Sequence, residues 1–124
     1  SIRDYQNHTS QWTPGKNFPA SGPFGPWMVT SDEMGALPDK RIQTRLNGQV
    51  LQSAKFDQMI FPVPRIIEYC SRFTTLNPGD VIVSGTPGGV GMRRDPPVWM
   101  KAGDTVEVEI DGIGILKNPL VAEA

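Results

Sequence analysis

The 124-residue chain contains one cysteine and one histidine. A lone Cys70 excludes an internal disulfide and a cysteine-rich zinc site. A lone His8 gives no basis for arguing a Ser/His/Asp order. No apolar run approaches the roughly 18 residues a membrane-crossing helix needs. No charge of one sign dominates: 12 basic residues stand against 13 acidic, for a net charge of −1. That balance lacks the basic footprint of a nucleic-acid or membrane-surface binder. Internal repeats, low-complexity tracts and an interdomain linker are also missing. So are an initiating Met and a signal-like segment at Ser1, and we expect a processed chain or an internal piece of a longer one.

Glycine and proline, by contrast, are plentiful, at 13 and 12 residues. They show no collagen period, and they fall between segments with real strand and helix patterns. The composition therefore predicts many turns and short strands. A mass of 13.6 kDa fits one domain with a folded surface of roughly 6,600 Å².

Residues 1–30 show neither helical nor strand period, yet carry Trp12, Phe18, Phe24 and Trp27. A loop this long is uncommon unless functional or disordered, and four large aromatics favour order. Arg41 to Leu46 alternates, Asn47-Gly48 follows, and Gln49 to Gln52 resumes. This predicts strands at 41–46 and 49–54 around a type I′ turn. Ile66, Ile67, Cys70 and Phe73 fall at helical spacing behind Pro64, predicting one helix over 63–74. Val81-Ile82-Val83 reads as a buried strand. Pro78-Gly79-Asp80 and Ala102-Gly103-Asp104 echo each other, each a turn that launches a strand. Thr105 to Ile110 alternates and turns at Asp111-Gly112 into Ile113 to Leu116, a second hairpin. One helix and about five strands make a mainly β or α+β domain.

Several groups could carry chemistry, and each has an ordinary alternative. The glycine-rich run Gly85 to Gly91 has no Lys for a P-loop, loses one amide at Pro87, and is not followed by a helix start. Nucleotide binding is therefore a poor reading. Successive amides there can still form a concavity for a carboxylate or oxyanion; the alternative is a close-packed turn. Lys16, among aromatics, is a candidate fixed cation for a carboxylate or carbonyl, or else a solvated lysine. Arg3 and Gln6, three apart, can share one turn and offer a planar fork; alternatively Arg3 pairs with Asp4. Glu107 and Glu109 lie on the polar face of their strand, the usual solvated position. Cys70, on the apolar stripe of the helix, reads as core rather than nucleophile.

Taken in order, three sets of residues resemble the fumarylacetoacetate hydrolase family. The first is Arg3-Asp4-x-Gln6 with Gln11-Trp12-Thr13-x-Gly15-Lys16-Asn17-Phe18 and Gly25-Pro26-Trp27. The second is Asn47-Gly48-x-x-x-Gln52 with Met59-Ile60-Phe61. The third runs Leu76-x-Pro78-Gly79-Asp80-Val81-Ile82-x-x-Gly85-Thr86-Pro87-x-Gly89-Val90-Gly91, closed by Gly103-Asp104 and Gly112-Ile113-Gly114. The likeness runs from residue 1 to about 121.

It implies a mixed, mainly β sandwich-roll, homodimeric and cytoplasmic. Residues 1–124 would be the C-terminal portion of a single catalytic domain whose N-terminal part is absent. The substrate would be a small oxo-acid, undergoing C–C hydrolysis, decarboxylation or dienoate isomerisation. Lys16 would be the catalytic cation. Arg3, Gln6, Gly85 and Thr86 would bind substrate, with Thr86 and its loop on the carboxylate. The implied cofactor is Mg²⁺ or Mn²⁺, or Ca²⁺, held by two glutamates and an aspartate upstream of Ser1. This chain itself would then supply no metal ligand and bind the ion weakly or not at all. Ala20 stands where many members carry Thr, and Pro19 where an acidic residue is frequent. The competing reading is a catalytically inactive fragment, at most a carboxylate-binding or interaction module.

Overall fold

A computed structural model describes residues 1–122. Two hairpins build the sheet. β1 (Arg41–Leu46) and β2 (Gln49–Lys55) pair antiparallel across Asn47-Gly48. Both turn residues have positive φ, 50° and 82°, as a type I′ turn requires. β3 (Thr105–Ile110) and β4 (Gly114–Pro119) form the second hairpin. β1 also pairs with β3, giving the all-antiparallel order β2-β1-β3-β4. Period-2 alternation sorts the faces: Ile42, Leu46, Val106, Val108, Ile110 and Leu116 share one side, and Gln43, Arg45, Glu107, Glu109 and Lys117 the other.

The polar side is not simply solvated, as the alternation alone suggests. Arg45 donates to Glu107 (3.1 Å) and Glu109 (2.7 Å), and Lys117 pairs with Glu107 (3.1 Å). Hydrogen bonds from Arg45, then Lys117, hold the Glu107 carboxyl below its ordinary pKa.

A polar pin joins the hairpins at one end. Asn47 Nδ2 donates to Asp104 Oδ1 (2.9 Å), the Thr105 amide donates to Asn47 Oδ1 (2.8 Å), and the Lys101 amide donates to Asp104 Oδ2 (2.9 Å). Asp104 is buried, and its carboxyl is held below the usual range by the Asn47 amide first and the Lys101 N–H second.

The echoing Gly-Asp turns do share one geometry. In both, the aspartate carboxylate accepts the amide three residues upstream, Asn77 for Asp80 (2.7 Å) and Lys101 for Asp104. Only the second launches a strand. Val81 to Val83, expected as a buried strand, lies outside the sheet, and Val83 is 88% exposed. A strand needs a partner ladder, and among the described residues none is hydrogen-bonded to this run. Among the described residues four strands therefore form where about five were expected.

Among the described residues three α-helices complete the α+β fold where one was expected: α1 (Arg3–Gln6), α2 (Ser31–Met34) and α3 (Val63–Ser71). α3 ends three residues before the expected 74, in a turn where the Phe73 and Thr74 amides both donate to the Cys70 carbonyl. Cys70 is half-buried on it, and Glu68 on its outer side pairs with Arg65 and Arg72. The segment leading into α2 packs beside the β3–β4 turn. A Cβ added to Gly114 would lie 3.2 Å from the Trp27 ring, and Met34 is the one buried hydrophobic among the described residues. The accessible surface, 9,528 Å², far exceeds the roughly 6,600 Å² of a compact domain of this mass. Phe24, Met28 and Ile60, each more than four-fifths exposed, contribute to that excess.

Candidate functional site

The residues singled out in the sequence gather into two clusters. The first closes the gap between Arg3 and Lys16. Lys16 ends a 3₁₀ turn, Thr13–Lys16, that lies against α1. Gly15 makes this approach possible, because a Cβ there would fall 2.6 Å from the Ile2 carbonyl oxygen and 2.7 Å from Gln6 Cβ. The Ile2 amide donates to the Gly15 carbonyl (3.0 Å). Gln6 is 3% exposed, and its Oε1 accepts from Arg3 Nη1 (2.6 Å). Arg3 thus pairs within its own turn, and among the described residues it makes no salt bridge to Asp4. Lys16 is exposed and donates to Ser1 Oγ. Tyr5 stacks edge-on against Phe18 at 4.8 Å and tilts toward His8 at 4.9 Å, so the lone histidine has an aromatic packing role.

The second cluster is the glycine loop, hung on the free edge of β2. A β-bulge in β2 prepares that edge. Thr44 pairs with Gln52 and Arg45 with Val50, leaving Leu51 as the extra residue. Bulges interrupt the ladder and re-aim side chains, and here both effects are used. The Leu51 carbonyl accepts a hydrogen bond from Arg94 Nη2, while Arg94 Nε donates to the Gly89 carbonyl (3.1 Å). A Cβ on Gly89 would fall on that same Leu51 oxygen, so only glycine lets the loop come this close. Gln52 Nε2 donates to Thr86 Oγ1 (2.9 Å) and to the Pro87 carbonyl (2.8 Å). Gly85, at φ 106°, takes a backbone conformation open mainly to glycine.

Beside this loop lies a cleft of about 390 Å³. Ser84 to Gly88 form one wall, and Met59, Ile60, Phe61 and Ile66 line it with apolar surface. A small anion with an apolar tail suits such a place: the Ser84 and Thr86 hydroxyls lie on one side of the cleft and apolar side chains on the other.

Thus Arg3, Gln6 and Lys16 stand together, and Gly85 and Thr86 stand together. Among the described residues no hydrogen bond joins the two groups, and none of the first three lines the cleft. Gln52 and Arg94 hold the loop, and composition and spacing point to neither. In the sequence Gln52 stands only as the end of a motif, and Arg94 carries no signal of its own. The bulge that gives both their roles depends on strand pairing and has no local signature.

No three His, Cys, Asp or Glu side chains converge among the described residues. Asp104 is taken up by Asn47 and the Lys101 amide, and Glu107 and Glu109 by Arg45. These residues do not fit a divalent-cation site. No helix is long and apolar enough to cross a membrane.

Residues 1–121 match the model of the fumarylacetoacetate (FAA) hydrolase C-terminal family. A mitochondrial oxaloacetate tautomerase from Xenopus laevis is 45% identical over 98% of this chain, which corresponds to 39% of that protein. The chain thus spans about two-fifths of the length of the curated relatives it matches. The fumarylacetoacetate hydrolase of Exiguobacterium antarcticum superposes with a TM-score of 0.93 at 41% identity, covering 98% of this chain and 43% of that one. Maleylpyruvate hydrolase from Sphingobium sp. SYK-6, solved with manganese(II) and pyruvate, gives 0.69 at 32% identity over 78% of this chain and 34% of that one.

Proposed function

The chain belongs to the fumarylacetoacetate hydrolase family, and from that premise we propose that it forms the carboxylate-holding part of an enzyme acting on small 2-oxo-acids. The observation that carries this reading is the Thr86 loop, fixed by Gln52 over a cleft with one polar and one apolar wall. Relatives bear names as different as oxaloacetate tautomerase and maleylpyruvate hydrolase. C–C hydrolysis of acylpyruvates, oxo-acid decarboxylation, dienoate isomerisation and tautomerisation all place negative charge on an enolate oxygen. A site serving any of them needs a holder for the carboxylate and a cation near that oxygen.

In this reading Thr86 and the amides around Gly85 hold the substrate carboxylate and orient the reacting carbon. Lys16, exposed beside Arg3 and Gln6, supplies positive charge where the enolate oxygen develops. Arg3 lies at the substrate's edge, and Gln6, buried beneath it, acts there through the Arg3 guanidinium it accepts from. Gly15 matters indirectly, because it sets Lys16 against α1. Mg²⁺ or Mn²⁺ belongs to the reading as a group whose ligands lie outside these 124 residues, consistent with the manganese complex of the maleylpyruvate hydrolase. So do the placement of residues 1–124 as the C-terminal portion of one catalytic domain, a homodimeric assembly that would cover the exposed apolar surface, and a cytoplasmic location. The Xenopus relative is named as mitochondrial, so cell fractionation decides the last of these.

The test is steady-state kinetics of the intact protein with oxaloacetate, following keto–enol conversion. Lys16→Met removes charge that acts mainly in the transition state, so kcat is expected to fall on the order of 10²-fold with KM little changed. Thr86→Val removes a ground-state donor, so KM is expected to rise roughly 10-fold. Two variants with wild-type constants would refute the site; exchanged effects would refute the roles.

A further inference from the structure

The Gln52 amide touches two groups, and one of them fixes its orientation. The Pro87 carbonyl can only accept, and it lies 2.8 Å from the amide nitrogen. The nitrogen must therefore face Pro87, since the reverse orientation would oppose two acceptors. The same nitrogen lies 2.9 Å from Thr86 Oγ1. It has two hydrogens, one for each partner. The Thr86 oxygen is thereby the acceptor in that bond, and its own hydrogen has to point elsewhere. A free threonine hydroxyl rotates between donating and accepting; this one is committed to donate away from Gln52. Thr86 is exposed while Gln52 is half-buried on the bulged strand, so the direction left for that hydrogen is outward from β2.

We propose that Gln52 is the positioning residue of the glycine loop: through Pro87 and Thr86 it keeps the Thr86 hydrogen turned outward, free to donate to a carboxylate. The inference rests on the reading above that Thr86 meets the substrate carboxylate. Gln52 does not itself touch substrate. It removes the rotamer in which the hydroxyl hydrogen turns back toward β2, leaving that hydrogen only outward positions, and it keeps residues 86 and 87 at fixed depth on the β2 edge. A carboxylate meets a donor already oriented, which lowers the ordering cost of binding.

The test is a double-mutant cycle in the intact protein with oxaloacetate as the probe, reading KM, kcat and thermal midpoint for Thr86→Val, Gln52→Leu and the pair. The expected result is a KM rise on the order of 5-fold for Gln52→Leu, with kcat within about 2-fold, in the Thr86 background. In the Thr86→Val background, Gln52→Leu should raise KM no further. An equal rise in both backgrounds would mean that Gln52 only braces the loop, and would overturn the proposal, as would no rise at all. Thr86→Val without effect on KM would instead remove the carboxylate reading itself. Gln52→Glu, nearly isosteric, covers the case in which the leucine variant fails to fold. Its carboxylate can only accept, so it turns the Thr86 hydrogen inward, and KM should rise more than with leucine. A wild-type KM in that variant would overturn the proposal.

Discussion

The amino-terminal cluster and the glycine loop carry the candidate chemistry, yet they are held in opposite ways. The first is closed on itself. Gly15 is buried against Ile2 and Gln6, and the cluster's own backbone binds it at both ends. The second is hung from an edge strand by two side chains, Gln52 and Arg94, and by one close approach at Gly89. A self-closed turn fixes a charge by packing, so disturbing it costs stability. A suspended loop fixes a donor by hydrogen bonds, so disturbing it costs binding while the sheet beneath survives.

The sharpest way to break this contrast is to add one methyl group to each. In Gly15→Ala the new carbon meets backbone and a Cβ at under 3 Å, and nothing there is a flexible side-chain end. Overpacking of this kind costs about 2–3 kcal/mol, and kcat should fall as Lys16 is displaced. In Gly89→Ala the clash is with the Leu51 carbonyl, and φ is 97°. This loop is held to the sheet by side-chain hydrogen bonds rather than by a packed turn, so the expected loss of stability is smaller, about 1 kcal/mol, with a KM rise on the order of 10-fold. Thermal unfolding and steady-state kinetics on the intact protein check both. Equal losses of stability would erase the distinction.

A smaller effect sharpens the comparison from the sheet side. Asp104 has a depressed carboxyl pKa because Asn47 donates to it, with the Lys101 amide second. A depressed pKa contributes stability above the unfolded value, about 3.9, and loses it as pH falls through the folded value. Acid should therefore loosen the end of the sheet where the hairpins join. Asp104→Asn cannot accept both amides, so its thermal midpoint should lie lower at pH 7 and vary less below pH about 4. Midpoints measured across that range check it; parallel curves for the two proteins would contradict it.

How far the sequence reveals these arrangements follows from how local they are. Asn47-Gly48 and Asp111-Gly112 announce their hairpins because the turn chemistry sits in adjacent residues. The apolar run Val81 to Val83 misled because strand propensity says nothing about whether a partner edge is present. Glu107 and Glu109 looked solvated because their partner, Arg45, lies on another strand, 62 and 64 residues away. The bulge at Leu51 exists only once β1 and β2 are paired, so the roles of Gln52 and Arg94 were invisible without the register. Gly15-Lys16 could be read only as a motif, and the physical reason for that glycine, contact with Ile2 and Gln6, becomes plain in three dimensions.

The most direct test of the two-cluster site is a crystal structure of the intact protein with Mn²⁺ and pyruvate. The expected result is the pyruvate carboxylate within hydrogen-bond distance of Thr86 Oγ1 and the glycine-loop amides, roughly 2.7–3.2 Å, with Lys16 Nζ facing the keto oxygen and the Gln52 amide still on Thr86. Pyruvate bound away from Thr86, or with its carboxylate on Lys16 and its keto oxygen on the loop, would contradict it.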